Sequence, residues 1–495
     1  MAEAAPQRIH RLEVTDDTLT SRGGLAFFVK YVQTMGIVGL LLSKFTDLKK
    51  TVKGVSVENL LYQVLYFFLD GTSRHVSYFD ELQKEEGYRA VVEMPETQMS
   101  SSHTIKRFFR AFHIFHAAAF RWVLRELLVW RLQLAQPRVV VLTLDTMVMD
   151  NDEAVKREGC DPTYKKVKGF QPLQLIWEGK IVDAIFRRGK RHSNYGNDVA
   201  KMLRSIVRLI RSRYDASAVI MVRCDGGFFD EKNFALCDEL GIGFIASGKM
   251  LEAIKEQVAG IPEKDWEEYD NGRQVWNYAR FFYQCAKWDK AYRALYTRPQ
   301  YEDQQQVLDF ARPDNIILTN LAAHEPALKA MPRDLQEYWL DDTSLIFHHH
   351  QRGADELPHR ALKEFGSEQL PFKRFAANQA YYYLMLVSFF VFESFKEDTL
   401  NDILPIPSYA TTVRRKLIDI AAKVVRTGRE VILKITQAVM KRLHLQTLWV
   451  RCQKVSPFRF RPSLFCVAFP FRAQSAIESV PVSSNLCCPL GPRRL

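Results

Sequence analysis

Three acidic residues stand in settings that chemistry could use. Asp145 ends an apolar, β-branched run, Val139-Val140-Val141-Leu142-Thr143-Leu144-Asp145. Asp225 closes a second such run, Ala218-Val219-Ile220-Met221-Val222-Arg223-Cys224-Asp225. Glu356 comes far downstream in Arg352-Gly353-Ala354-Asp355-Glu356, at the expected start of a helix that carries Lys363. A carboxylate on a buried strand costs on the order of several kcal/mol unless something compensates it. Three carboxylates meeting at one point repel, unless they share metal ions. A pair of divalent ions held that way is what an in-line phosphoryl-transfer site needs.

The third acid has cationic company. Arg352, Glu356 and Lys363 are spaced i, i+4 and i+11, which puts them on one helical face. Pro358 is tolerated best in a first turn. The helix is therefore expected to begin near Asp355 or Glu356, with Arg352 entering from the preceding loop. Other acids compete less well. Asp150 and Asp152 lie in a Met-Asp-Asn-Asp turn, and Asp230 and Glu231 fit a helix N-terminus, where negative charge is favoured. Asp355 points about 100° away from Glu356 on a helix. The triplet His348-His349-His350 reads as strand. Its side chains would then alternate faces, which argues against a shared metal ion.

The chain that must position these groups has 495 residues, room for two to four domains. Its 47% hydrophobic and 25% charged content fits a globular protein and excludes a disordered one. With 69 Lys and Arg against 57 Asp and Glu, the net charge is +12, which suits a polyanionic partner, nucleic acid first and a membrane surface second. The eight cysteines form no C-x-x-C pair, which argues against a zinc site or disulfide framework and fits a reducing cytoplasm. The start, Met1-Ala2-Glu3-Ala4-Ala5-Pro6, lacks a signal-peptide pattern. The longest apolar run, Tyr381 to Phe392, is shorter than the roughly 18–20 residues of a membrane span and predicts a buried core helix.

Periodicity divides the chain. Residues 1–23 are expected to be flexible. Residues 24–136 read as helical, and Ser100-Ser101-Ser102 offers N-cap hydroxyls to a basic helix, Thr104-Ile105-Lys106-Arg107-Phe108-Phe109-Arg110. That region predicts either a DNA-binding helix-turn-helix or a plain bundle with solvated cations. From 137 to 249 the order is strand, strand, strand, helix, strand, helix, strand, with a hairpin turning at Glu178-Gly179-Lys180. Residues 250–340 predict a mainly β insertion, with strands around 275–278, 292–296 and 315–319. Residues 341–400 complete the core, with helix resuming from about 356 and continuing through 395, and 401–455 predict a C-terminal helical region with a helix over 411–425 and a strand at 431–435. Residues 456–495 are irregular and expected to be poorly ordered. Their composition departs from the rest, which leaves a read-through or frameshifted tail open.

This element order is similar to the ribonuclease H-like fold, an α/β class in which helices flank a mixed sheet. In that fold one acid lies on the first strand, a second near the end of the fourth and a third on a late helix, the places of Asp145, Asp225 and Glu356. The chain resembles the DDE transposases of bacterial insertion sequences, in the branch marked by Tyr-x2-Arg-x3-Glu-x6-Lys. Arg352, Glu356 and Lys363 match in residue and spacing, whereas His349 stands at the tyrosine position. Leu144-Asp145-Thr146, Arg223-Cys224-Asp225-Gly226-Gly227-Phe228 and the β insertion also look like the family, over about residues 20–450.

The resemblance implies that Asp145, Asp225 and Glu356 are catalytic and hold two Mg²⁺ ions, with Mn²⁺ as a substitute. It implies that Arg352, Lys363 and His349 contact DNA. The partner would be double-stranded DNA, both the terminal inverted repeats and the target, with at least a dimer in the DNA complex and no membrane. The location would be the bacterial cytoplasm, with the nucleoid. Strand release in that branch commonly passes through a hairpin, with a flipped base stacked on an aromatic of the insertion. Trp266, Trp276, Trp288 and Trp339 lie in or near that region, where core packing is the competing role for each. The basic segments Lys165–Lys168 and Arg187–His192 flank the hairpin as phosphate-tracking candidates or solvated loops. Two alternatives stay open: a transposase-derived DNA-binding protein without catalysis, and another ribonuclease H-like nuclease.

Overall fold

The computed structural model describes residue 9 and residues 11–49, 53–153, 156–300, 314–351, 356–428 and 430–458, with the backbone alone for Glu356. The chain opens with a short strand, β1 (Thr18–Thr20), and then turns helical. The helices are α1 (Leu25–Met35), α2 (Ile37–Phe45), α3 (Val57–Asp70), α4 (Phe79–Leu82), α5 (Glu86–Val91), α6 (Ser102–Arg110) and α7 (His116–Ala135). Local chemistry sets several of these ends. The Ser56 and Ser101 side chains accept the Asn59 and Thr104 N–H groups and cap α3 and α6. Gly71 stops α3 in the left-handed region, at φ 59°.

The next segment carries β2 (Val139–Thr146), β3 (Met149–Asp150), β4 (Asp161–Pro162), β5 (Lys168–Phe170), β6 (Leu173–Trp177) and β7 (Lys180–Ile185). It continues through α8 (Asp198–Arg213), β8 (Val219–Cys224), α9 (Glu231–Leu240) and β9 (Gly243–Ser247). Five of these strands lie in the order β7-β6-β2-β8-β9. The β7–β6 and β6–β2 pairs are antiparallel, while β2–β8 and β8–β9 are parallel. This is the ribonuclease H-like arrangement expected from the element order. Strands β3, β5 and β4 form a small separate sheet in the β2–β6 connection.

The insertion holds α10 (Glu252–Ala259), β10 (Glu267–Asp270), β11 (Val275–Tyr283), β12 (Tyr292–Pro299), β13 (Asn315–Thr319), α11 (Pro326–Lys329) and α12 (Arg333–Leu340). Its strands pair with the core: β13 runs antiparallel to β9, and β12, β11 and β10 follow, making one nine-stranded sheet.

The chain returns through α13 (Asp342–His350), α14 (Glu356–Phe365) and α15 (Phe375–Thr399). The histidine triplet therefore ends a helix and is not strand. The Asp341 side chain accepts the Ser344 N–H and starts α13, and Leu345 and Ile346 are buried by it. Helix α15 is long and apolar enough to cross a membrane, but 94% of its apolar window is buried inside the protein, as expected of a core helix. Tyr382 Oη accepts from Gln174 of β6 at 2.7 Å, and Tyr383 donates to the Ala184 carbonyl of β7 at 2.8 Å. On its other side, Phe395 meets Phe28 of α1 and Tyr381 meets Phe68 of α3. One continuous apolar cluster thus runs from the N-terminal helices to the sheet, and a second lies where β8, β9 and the insertion's strands meet α12 and α13.

The C-terminal part is α16 (Ala410–Val413), a π-helical turn (Arg414–Ile418), β14 (Ala422–Thr427), β15 (Glu430–Lys434), α17 (Gln437–Arg442) and α18 (Leu445–Gln453). The helix expected over 411–425 therefore forms only as far as Ile418, as α16 and the π-helical turn, and gives way to strand from Ala422. The cause lies far away in sequence. Gly23 and Gly24 donate N–H bonds to the Ile420 and Ile418 carbonyls, and a Cβ at Gly24 would fall 1.6 Å from the Leu417 oxygen. This close approach takes the carbonyls with which the helix would continue, and the chain leaves it after Ile418. β14 then pairs with β1, inside the stretch expected to be flexible, and with β15. Most of the tail, 459–495, lies outside the described residues.

Candidate active site

Strands β2 and β8 run in parallel register, with Leu144 opposite Cys224. Asp145 and Asp225 are the next residue on each chain, at the carboxyl ends of adjacent strands spaced about 4.8 Å. Both line one cavity of about 290 Å³, together with Thr146, Tyr164, Lys165, His359, Arg360 and Lys363. Each carboxylate is held by a nearby main-chain donor. Asp145 Oδ1 accepts the Thr146 N–H at 2.6 Å, and Asp225 Oδ1 accepts the Gly227 N–H at 2.9 Å. A Cβ at residue 227 would lie 2.9 Å from both Asp225 Oδ1 and Ser193 Oγ, so a larger residue there would displace the Asp225 carboxylate or the Ser193 hydroxyl.

Helix α14 forms the opposite wall. It begins at Glu356, with Pro358 in its first turn, as the placement of proline requires. Positions 356, 359 and 363 share one helical face by phase. Lys363 Nζ lies 2.5 Å from Glu368 Oε2. The His359 ring is largely buried, with Nδ1 3.7 Å from Asp145 Oδ2. Burial, then the charges of Lys363 and Lys165, push its pKa down to about 4, so the ring is neutral near pH 7.

Two carboxylates opening on one cavity are hard oxygen donors of the kind that Mg²⁺ and Mn²⁺ prefer. Among the described residues, no three His, Cys, Asp or Glu side chains gather closely enough to hold an ion. Glu356, the third acid expected from the sequence, is placed by its backbone at the start of α14.

The sequence matches the family described as Transposase DDE domain group 1 over residues 5–457. The chain belongs to that family. No curated protein matches it. Among solved structures, it is similar to a piggyBac transposase in a synaptic complex with hairpin DNA. That likeness has 11% identity and a TM-score of 0.39, and covers 82% of this chain and 83% of that one.

The remaining expected site residues of this transposase fall in different places. Arg352 lies outside the described residues. His349 is on α13, 7% exposed, with Nε2 2.8 Å from Ser247 Oγ. Of the basic segments, Lys165 lines the cavity, whereas Arg187 is buried and donates to the Gln171 carbonyl at 3.0 Å. Among the tryptophans, Trp339 is fully buried, Trp288 packs on Phe229 and Phe234, Trp266 lies under Arg298, and Trp276 meets the His350 ring at 4.5 Å. The sequence reading gave no role to His359, Arg360 or Tyr164. The signal for the first two was present, because they follow Glu356 by three and four residues on a helix. Tyr164 reaches the cavity from the β4–β5 turn, which no local pattern announces.

Proposed function

We propose that this chain is a DNA transposase that excises and integrates its insertion sequence by two-metal phosphoryl transfer at the element's terminal inverted repeats. The supporting observation is the in-register pair Asp145 and Asp225 opening on a cavity ringed by Lys165, Arg360 and Lys363, in a transposase-family chain. In this reading Asp145, Asp225 and Glu356 hold the divalent ions, Mg²⁺ or Mn²⁺. Ions bound there supply Lewis-acid charge to the phosphate and to the attacking hydroxyl. The cations of the cavity wall orient the scissile phosphate, and Arg352 belongs to the same DNA-contacting set, whereas the expected contact from His349 is replaced by its buried pairing with Ser247. The spacing Arg352-x3-Glu356-x6-Lys363 favours the bacterial insertion-sequence branch.

The helical region 24–136 is the candidate for duplex binding, since α6 leaves His103, Arg107 and Arg110 exposed. Holding two ends together requires at least a dimer in the DNA complex, in the bacterial cytoplasm. The test is Mg²⁺-dependent cleavage of DNA carrying the flanking inverted repeats, by the wild type and by Glu356→Gln. Cleavage at the repeat ends by the wild type alone supports the reading. Salt-sensitive binding without cleavage by either protein points to a non-catalytic relative. Equal cleavage by both removes Glu356 from the site.

A further inference from the structure

His359 is a costly residue for its position. Its ring is 13% exposed, and its helix neighbours Leu362 and Phe365 are fully buried and apolar. A leucine or phenylalanine at 359 would fill such a slot without cost. The imidazole instead buries Nε2 with no hydrogen-bond partner among the described residues. A buried polar atom left unpaired reduces stability. The other nitrogen, Nδ1, faces Asp145 Oδ2 at 3.7 Å. Asp145 Oδ1, by contrast, takes the Thr146 N–H at 2.6 Å. The two oxygens of Asp145 therefore meet different neighbours, one from its own strand and one from α14.

We propose that His359 is a positioning residue that donates Nδ1–H to Asp145 Oδ2 and sets the orientation of that carboxylate in the active site. This rests on the reading of Asp145 as an ion-holding catalytic group. An acceptor oxygen in front of Nδ1 selects the tautomer that carries its proton there. The 3.7 Å separation exceeds a good hydrogen bond by about 0.7 Å, and hydrogen bonds of active sites that are long in the free protein tighten in the substrate complex. The bond ties β2 to α14, three residues past Glu356. His359 thereby couples the wall bearing the first carboxylate to the wall bearing the third. Groups that orient a metal-binding carboxylate typically change ion affinity or activity by roughly 10–100-fold when removed.

The test uses the full chain and two substitutions. His359→Asn keeps an N–H donor near the place of Nδ1 but loses the ring. His359→Phe keeps the ring but loses the donor. Mn²⁺ binding is measured without DNA by calorimetry or paramagnetic resonance, next to the melting temperature and the cleavage rate on end DNA. His359→Phe should weaken Mn²⁺ binding and slow cleavage about 10-fold or more, with an unchanged or higher melting temperature. His359→Asn should stay within about threefold of the wild type. A purely packing role reverses that order, with asparagine the worse of the two, and overturns the assignment. Equal Mn²⁺ binding by wild type and His359→Phe overturns it as well. If the phenylalanine variant unfolds, His359→Leu replaces it under the same criteria. A wild type that neither binds Mn²⁺ nor cleaves end DNA overturns the proposed function and this assignment with it. An active wild type with an unaffected phenylalanine variant overturns this assignment alone.

Discussion

Asp145, near the end of β2, and Asp225, just past the end of β8, stand on neighbouring parallel strands, each one residue beyond the paired Leu144 and Cys224. Two like charges so placed repel, and the cavity they share is otherwise lined by cations and neutral groups. Asp145→Asn and Asp225→Asn should each lower DNA cleavage by roughly 10³-fold or more while leaving the fold intact. The melting temperature should hold or rise, since a repulsion is removed. Thermal unfolding beside a cleavage assay separates the two effects. A variant that cleaves at the wild-type rate would take that aspartate out of the site.

Lys363 reaches the cavity but is held by Glu368 at 2.5 Å. Both side chains are about one-third exposed, so the pair itself adds little stability. Glu368→Gln should free the ammonium for phosphate and tighten end-DNA binding a few-fold. Lys363→Ala should weaken it and reduce the slope of log affinity against log salt by about 1. Salt titrations of DNA binding check both. An unchanged slope in Lys363→Ala would mean that this lysine meets no phosphate.

Arg414 joins the C-terminal part to the helices beneath the site. Its guanidinium donates to the Phe68 and Leu69 carbonyls at the end of α3 and to the Phe365 carbonyl at the end of α14. Burial pushes its pKa down to about 10, yet it stays charged at neutral pH, where it complements two helix C-termini. Arg414→Met strands those carbonyls and should cost about 3 kcal/mol or more. Urea unfolding measures it, and a loss under about 1 kcal/mol would show that solvent replaces the guanidinium.

His348 gives a pH test of the insertion's packing. Its ring lies against Trp339 and beside the Tyr338 hydroxyl, and burial, aided by the Arg223 charge, lowers its pKa from 6.5 to about 4. Between those values the unfolded chain binds the proton and the folded one does not. This histidine therefore costs the fold nothing above pH 6.5 and destabilises it progressively as pH falls toward 4. Relative to His348→Phe, the wild type should lose on the order of 1–2 kcal/mol across that window, after allowing for partial solvent screening. A stability difference that is flat from pH 7 to 4, roughly, would show an ordinary histidine.

What the sequence determined by itself is local. β-Branched runs gave β2 and β8, and the acids at their ends followed from position alone. Ser101 announced the start of α6, and Pro358 announced the start of α14. Such signals need a few neighbouring residues, and propensity and capping carry them. The order of elements then limited the topology, because parallel neighbours need crossovers and hairpins do not.

The tertiary structure decided what depends on atoms distant in the chain. The 411–425 stretch reads as helix until Gly23 and Gly24 take its carbonyls. The insertion's strands read as strands without partners named by the sequence, until β13 pairs with β9. His359 reads as one polar residue on a helix face until the fold brings its Nδ1 to 3.7 Å from Asp145. In each case a contact across many residues outweighs a local preference worth a fraction of a kcal/mol per residue.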